Sequence, residues 1–354
     1  MLRFLQKRWF LVGLVTLLSL GLTLGLTDPA LGQVWRERFF RPRVIVAAVL
    51  FLMAFSLDTS RLGQSVRRPG PVLWASAVNY LLIPLLAWLV MDWQVGPDFR
   101  FGLMIAASVP CTLASASVWT RKAGGNDAVS LLSTILTNSV CFLATPFWLN
   151  LTTVEGVQLD AREMVVRLVE AVLVPTVVGQ LLRQVPPLRR LATRYKTPIG
   201  AVAQCLVLSL VFLASWNAGT YLHDQSVGLS WQAVALVWST VVVLHVVALV
   251  VAVAGAKLFG FDRYDVPAVA FAGSQKTLPI GAYLATDPRF FGNPNLLGPG
   301  LGVPFVIFPM LMYHASQLFI DTLVADYMAA KLEGSTERGG SPEPLPRADA
   351  GDVG

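Results

Sequence analysis

Charge is what this 354-residue chain has least of. Asp, Glu, Lys and Arg together make up 14% of it, against roughly 25% in an average soluble domain. With 55% hydrophobic residues and a mean hydropathy of +0.62, the composition excludes an ordinary soluble domain and predicts an all-α polytopic protein embedded in a lipid bilayer. Only three cysteines are present, Cys111, Cys141 and Cys205, all inside apolar stretches. That excludes a disulfide framework and makes them small packing residues. The sequence has no His-Glu-x-x-His zinc motif and no phosphate-cradling glycine loop, so the usual signatures of metalloprotease and nucleotide chemistry are missing. Ser274 and Lys276 invite the thought of a hydrolytic dyad, but residues two apart do not face each other on a helix. The chain is expected not to be an enzyme and to need no cofactor.

What is there is a succession of apolar stretches, at about 9–26, 44–57, 72–91, 99–120, 126–151, 164–182, 199–218, 231–259, 264–285 and 299–330. Ten transmembrane helices are predicted. The second is short for the ~20 residues that cross a bilayer, so it is expected to continue into Asp58-Thr-Ser-Arg61. The net charge of +6 does not point to nucleic acid, because the basic residues lie scattered in short loops. With a cytoplasmic N-terminus, 18 of the 27 basic residues fall on the inside and 7 on the outside, leaving Arg167 and Lys276 within spans. The positive-inside rule then puts both termini in the cytoplasm of a plasma-membrane protein. Residues 331–354, rich in Gly, Pro, Glu and Arg, read as a disordered tail.

Two spans are broken by polar and helix-breaking residues. The fourth contains Ser108-Val-Pro-Cys-Thr-Leu-Ala-Ser-Ala-Ser117; the ninth contains Phe271-Ala-Gly-Ser-Gln-Lys-Thr-Leu-Pro-Ile-Gly281. Non-helical backbone at membrane depth is tolerated only where it faces protein or a water-filled cavity. An ionisable group there costs roughly 3 kcal/mol on insertion scales, so Lys276 marks a functional site. The breaks are about 160 residues apart, as are the first and sixth spans. Residues 1–151 and 152–330 therefore read as two five-helix repeats, and an odd number of crossings per repeat inverts the second against the first. In such a plan substrate and coupling ions bind where the broken helices meet. Ser115 and Ser117 in the first break, and Ser274, Gln275, Lys276 and Thr277 in the second, are the candidates.

The fifth span adds a polar stripe at helical spacing, Asn126, Ser130, Ser133, Thr134, Thr137 and Asn138. Such oxygens suit a small cation, or equally hydrogen bonds between helices. Asn79 and Pro84 in the third span either line the cavity or accommodate a kink. His245 reads as a packing residue, and His314 as a relay candidate if it faces the crossing point.

Several of these segments carry a family resemblance. Val109-Pro-Cys-Thr-Leu-Ala-Ser-Ala-Ser-Val118 followed by Lys122-Ala-Gly-Gly-Asn-Asp-Ala128, together with Lys7-Arg-Trp-Phe-Leu-Val-Gly13, Val174-Pro-Thr-Val-Val-Gly-Gln-Leu-Leu-Arg183, Ser274-Gln-Lys-Thr-Leu-Pro-Ile-Gly281 and Tyr313-His-Ala-Ser-Gln317, resembles the bile acid:sodium symporter family, most closely its solute carrier 10 member-7-like branch. The resemblance covers about residues 1–330. It implies a panel domain (spans 1, 2, 6, 7) and a core domain (spans 3–5, 8–10) in which the two discontinuous helices cross, and alternating access by movement of one domain against the other. It further implies one sodium position at Ala116, Ser117, Ser130 and Thr134, and a second at Phe271, Ala272, Ser274 and Gln275. Sodium ligands are thus expected among Ser117, Ser130, Thr134 and Gln275.

The sequence departs from the sodium-coupled pattern at Phe271, where those members carry the carboxylate that serves both ions. Lys276 adds a like charge, and at about 5 Å two such charges repel by roughly 3 kcal/mol at an effective dielectric of about 20. The Lys276 ammonium is therefore expected to take the place of one coupling cation, as a fixed charge that helps hold an anionic substrate or as a lysine that loads and releases a proton. Were it instead simply paired, Asp127, Asp265 or Glu170 would be its partner. The expected function is secondary transport of an organic anion or small amphipathic solute, coupled to sodium or protons. The alternative is a non-transporting membrane regulator of ion homeostasis, calcium in particular.

Overall fold

The structure, a computed structural model, describes residues 9–28, 41–59, 69–151, 160–225, 230–287, 290 and 303–338. Among these the regular elements are all helices, with no strand. In chain order they are α1 (Trp9–Thr27), α2 (Pro42–Ser56), α3 (Gly70–Trp93), α4 (Pro97–Ser108), α5 (Ser115–Lys122), α6 (Asp127–Leu151), α7 (Ala161–Gln184), α8 (Pro186–Arg194), α9 (Lys196–Gln225), α10 (Trp231–Leu258), α11 (Asp265–Ser274), α12 (Leu278–Thr286), α13 (Val303–Val306) and α14 (Phe308–Arg338). Five of them, α3, α6, α7, α9 and α10, are long and apolar enough to cross a membrane, and α1 and α2 are shorter apolar helices. The fourth and ninth apolar stretches are each realised as two short helices, α4 with α5 and α11 with α12, separated by residues 109–114 and 275–277.

Prolines set the local irregularities. α3 widens into a π turn at Val78–Leu82 just before Pro84, and α7 does so at Val169–Leu173 just before Pro175. A proline inside a helix has no N–H to give to the carbonyl four residues back, and the ladder re-forms around the gap. In α3 the carbonyl so released is that of Tyr80, which accepts from Trp148 Nε1 at 2.7 Å.

Helix packing falls into two groups. α1, α2, α7 and α9 pack on one another, and α10, α11, α3, α6 and α14 form the other body, with α4, α5, α12 and α13 inserted into it. Within the first group α1 and α9 run parallel at backbone contact. A Cβ on Gly21 would lie 2.5 Å from Phe212 O, one on Gly25 2.2 Å from Trp216 O, and one on Gly219 2.3 Å from Leu22 O. Small residues four apart let two membrane helices approach this closely, so that dispersion contacts replace the hydrophobic effect that lipid cannot supply.

Two sequence expectations are corrected. The second span does not run on past Ser56: Leu57–Thr59 are not helical, because the carbonyls at the end of α2 are taken by α7. Gln180 Nε2 donates to Ala54 O and Leu57 O, and Arg183 donates to Phe55 O. Residues 331–338, expected to open a disordered tail, are helical, since α14 continues to Arg338 through Ala329, Ala330, Lys331 and Leu332, all good helix formers. Residues 339–354 lie outside the described residues, as do Arg36, Arg38 and Arg289.

Gly219→Leu is expected to force α1 and α9 apart and destabilise the protein by roughly 1–3 kcal/mol. Thermal unfolding of the purified protein in detergent reads this as a lowered melting temperature.

Candidate functional site

The two breaks meet, and their exposed backbone is the material of the site. Thr277 N–H donates to Pro110 O at 2.9 Å, and Gln275 Oε1 accepts from both Thr112 Oγ1 and Ser115 Oγ at 2.8 Å. α6 secures the first break from behind. Asn138 Nδ2 donates to Cys111 O at 2.9 Å, Thr134 Oγ1 to Thr112 O at 3.3 Å, and Thr145 Oγ1 to Ser108 O at 2.8 Å. Part of the fifth-span stripe thus works as hydrogen-bonding scaffold for freed carbonyls.

Lys276 is fully buried and turns away from solvent toward α3. Its ammonium donates to Asn79 O at 2.7 Å, Val109 O at 2.9 Å and Asn79 Oδ1 at 3.1 Å, which uses all three of its protons. The Tyr80 ring lies 5.5 Å from Nζ, near enough for a cation–π contribution. Every acceptor is a neutral oxygen, and Lys276 forms no salt bridge among the described residues. None of the three carboxylates considered as partners is engaged with it: Asp127 pairs with Arg121, Glu170 with Arg43, and Asp265 accepts from Asn126.

Asn79 serves both sides of this contact. While its oxygens hold the ammonium, its Nδ2 donates to Gln275 O at 2.8 Å and to Ala272 O and Gly273 O at 3.3 Å. The last carbonyl of α11, Ser274 O, accepts from Tyr313 OH at 2.8 Å and faces His245 Nδ1 at 3.3 Å. The Lys276 peptide is clamped by Gln317, which accepts from Lys276 N–H at 2.9 Å and donates to Lys276 O at 3.0 Å. Gln317 Nε2 also donates to His314 Nδ1 at 2.8 Å.

Sequence reasoning missed Asp321. Buried on α14, it faces His245 Nε2 at 3.1 Å through Oδ1 and accepts from Gln275 Nε2 through Oδ2. A chain of contacts therefore runs from Thr112 and Ser115 through Gln275 and Asp321 to His245. The signal was present: Tyr313, Gln317 and Asp321 recur every four residues on one face of α14.

A cavity of about 340 Å³ lies between α1, α2 and α9 on one side and the breaks and α14 on the other. Of the expected site residues, Ser115, Thr277 and His314 line it, with Thr112 beside them. Ser117, Ser130, Thr134, Ser274, Gln275 and Lys276 are buried around the breaks without lining it. Asn126 is set apart, accepting Ala128 N–H at the start of α6 and donating to Asp265 Oδ1 at 2.8 Å. Phe10, Trp119 and Gln204 complete the character of the wall, apolar with scattered hydrogen-bonding groups and no ionised side chain. The described residues contain no cluster of three or more His, Cys, Asp or Glu able to hold a metal ion.

Asn79→Ala leaves three break carbonyls without this donor and the ammonium short of an acceptor. Buried groups left unbonded cost about 1–3 kcal/mol, so a lower melting temperature is expected by thermal unfolding; an unchanged one would mean that water or neighbouring groups replace Asn79.

Comparison with known proteins gives the family. The model of the SBF-like CPA transporter family matches residues 8–330. The chain is 22% identical over 330 residues to the sodium/bile acid cotransporter 7 of Danio rerio, covering 90% of this chain and 93% of the relative. It is 26% identical over 257 residues to the putative symporter YfeH of Escherichia coli, covering 72% and 73%. It is 24% identical over 324 residues to the probable chloroplastic sodium/metabolite cotransporter BASS4 of Arabidopsis thaliana, covering 86% and 70%. A family model that spans nearly the whole chain, together with these cotransporter relatives and the apolar helices, makes one assignment: the chain belongs to the SBF-like CPA transporter family, as an integral membrane transporter of a small-molecule substrate and not an enzyme.

Proposed function

We propose that this protein is a secondary active transporter of an organic anion or small amphipathic solute, working by alternating access and coupled to sodium or protons. The observation that carries the reading is the cavity between the two helix groups, whose wall includes residues of both breaks. α5 begins at Ser115 and α12 follows Thr277, and both residues line that cavity. The partial positive ends of two half-helices therefore border it, which favours a carboxylate or sulfonate over a cation. The apolar remainder suits a greasy body on such a substrate.

Ten crossings arranged as inverted repeats, residues 1–151 and 152–330, account for the helix pairing. α1 runs parallel to α9, and α2 parallel to α7, as Arg43 with Glu170 and Phe55 with Arg183 attest. Exchanging the first span for the sixth and the seventh for the second maps one pair onto the other, which is what two inverted copies predict. With both termini cytoplasmic in a plasma membrane, the cavity extends toward the inner side, where Phe10, Ser56 and Gly200 sit. The outer end is held by ion pairs, Arg43 with Glu170 and Arg167 with Glu163. Asp287, just past α12, joins them electrostatically: burial raises its carboxyl above the usual range, and the Tyr283 hydroxyl and the Arg167 and Arg43 guanidiniums oppose that shift.

For the coupling ion, the position around Ser117, Ser130 and Thr134 has room for new bonds. Ser117 Oγ and Ser130 Oγ are buried hydroxyls with no hydrogen-bond partner, which is unusual enough to suggest a missing ligand. At the position around the second break, the carbonyls of Ala272 and Ser274 and both ends of the Gln275 amide already meet protein groups, and the Ser274 hydroxyl alone is left without a partner.

In proteoliposomes, an inward sodium gradient is expected to drive uptake of a hydrophobic carboxylate or sulfonate. Ser130→Ala is expected to weaken the sodium dependence roughly tenfold, the equivalent of about 1.4 kcal/mol of ion binding. Purified protein should likewise melt higher in sodium than in potassium or choline at equal ionic strength. Uptake that ignores sodium but follows a proton gradient would transfer the coupling to protons; no uptake under either gradient would sink the carrier reading.

A further inference from the structure

Lys276 is held unlike a salt-bridged lysine. Its surroundings are two backbone carbonyls, one side-chain amide oxygen and an aromatic ring, contributed by α3 and by the first break. Neutral oxygens and a ring face form the coordination shell of a small monovalent cation, whereas ionised lysines taken out of water are ordinarily stabilised by a carboxylate. The shell is also built from fixed parts. Asn79 sits in the π turn of α3, and its amide nitrogen is anchored by three carbonyls of the second break. Val109 O is the first carbonyl beyond α4, left free by the break itself. The oxygens do not depend on the lysine side chain for their placement: two are backbone carbonyls, of α3 and of the residue after α4, and Asn79 Oδ1 is placed by the hydrogen bonds of its own amide nitrogen.

We propose that Asn79, Val109 and Tyr80 form a monovalent-cation site, and that the protein fills it with its own Lys276 ammonium. The ligand class is a small monovalent cation of ammonium or potassium size, able to accept several neutral oxygens at hydrogen-bond distance. One cation of the transport machinery is then covalently attached and is neither taken up nor released, which leaves the Ser117, Ser130 and Thr134 position for a coupling ion. The site is a statement about binding and does not rest on which gradient drives uptake.

The test is to vacate the site and offer a free cation. Lys276→Ala removes stem and charge, whereas Lys276→Met removes the charge but keeps the stem in place. Both full-length variants and the wild type are melted in ammonium, methylammonium and potassium chloride, with choline chloride at equal ionic strength as reference. A ligand that binds only the folded state raises the melting temperature progressively once its concentration exceeds Kd. The expected result is a concentration-dependent upward shift for Lys276→Ala in at least one of the three small cations, absent from wild type and from Lys276→Met. An Ala variant that responds no more than the other two overturns the proposal. So does failure to recover folded Ala variant from cells grown with methylammonium, whatever the fate of the Met variant, since a free cation must be able to replace the tethered one.

Discussion

Backbone hydrogen bonding where two helices are interrupted is the constraint from which the rest of this structure follows. A helix broken at membrane depth leaves carbonyls and amides with no water to receive them, at several kcal/mol per group. The polar side chains of the core answer those groups one by one. Thr134, Asn138 and Thr145 meet the carbonyls of the first break; Asn79, Tyr313 and His245 meet those of the second; Gln317 closes on the Lys276 peptide. What composition presents as a scatter of Ser, Thr, Asn and Gln in an apolar chain is an accounting of backbone atoms. The serine hydroxyls left over around the breaks, Ser117, Ser130 and Ser274, stand out because so much around them is satisfied.

The same constraint sorts the ionisable groups. Lys276 is charge-balanced by dipoles, through carbonyls freed at α4 and in α3, whereas Asp321 is met by His245 and the Gln275 amide. Gln275 stands between these systems and the cavity, since its oxygen receives Thr112 and Ser115. A substrate that drew either hydroxyl toward itself would loosen Gln275 and, through it, the carboxylate. The hydrogen bonds given above lie within one helix group or the other, and between the groups Asp287, just past α12, meets the Arg167 and Arg43 guanidiniums electrostatically.

Much of this was legible in the chain. Periodicity and length placed the helices, and Pro, Gly and polar runs placed both breaks, because a membrane leaves few ways to accommodate them. Lys276 declared itself by charge alone. Its role did not, since the acceptors that define it are mostly backbone oxygens, and no residue type announces a carbonyl that a neighbouring proline or break has released. Asp321 escaped notice for a related reason: it sits two turns beyond Tyr313, in a helix whose later part mixes exposed and buried charges. The end of α2 was misjudged because hydropathy takes no account of Gln180 and Arg183, which arrive from α7 to terminate it.

The neutral cage around Lys276 has an electrical consequence. While it is protonated, a lysine whose shell contains only dipoles has no counter-ion beside it to cancel its charge, and transmembrane voltage acts on any part of its path that lies along the membrane normal. Moving one elementary charge across the whole field is worth about 2.3 kcal/mol per 100 mV. In a rocking cycle, the helix group that carries Lys276 would act as a voltage sensor to the extent that Asp321, travelling with it, does not cancel the charge. Resting potential would then bias which side of the membrane the empty carrier faces before any ion or substrate has bound.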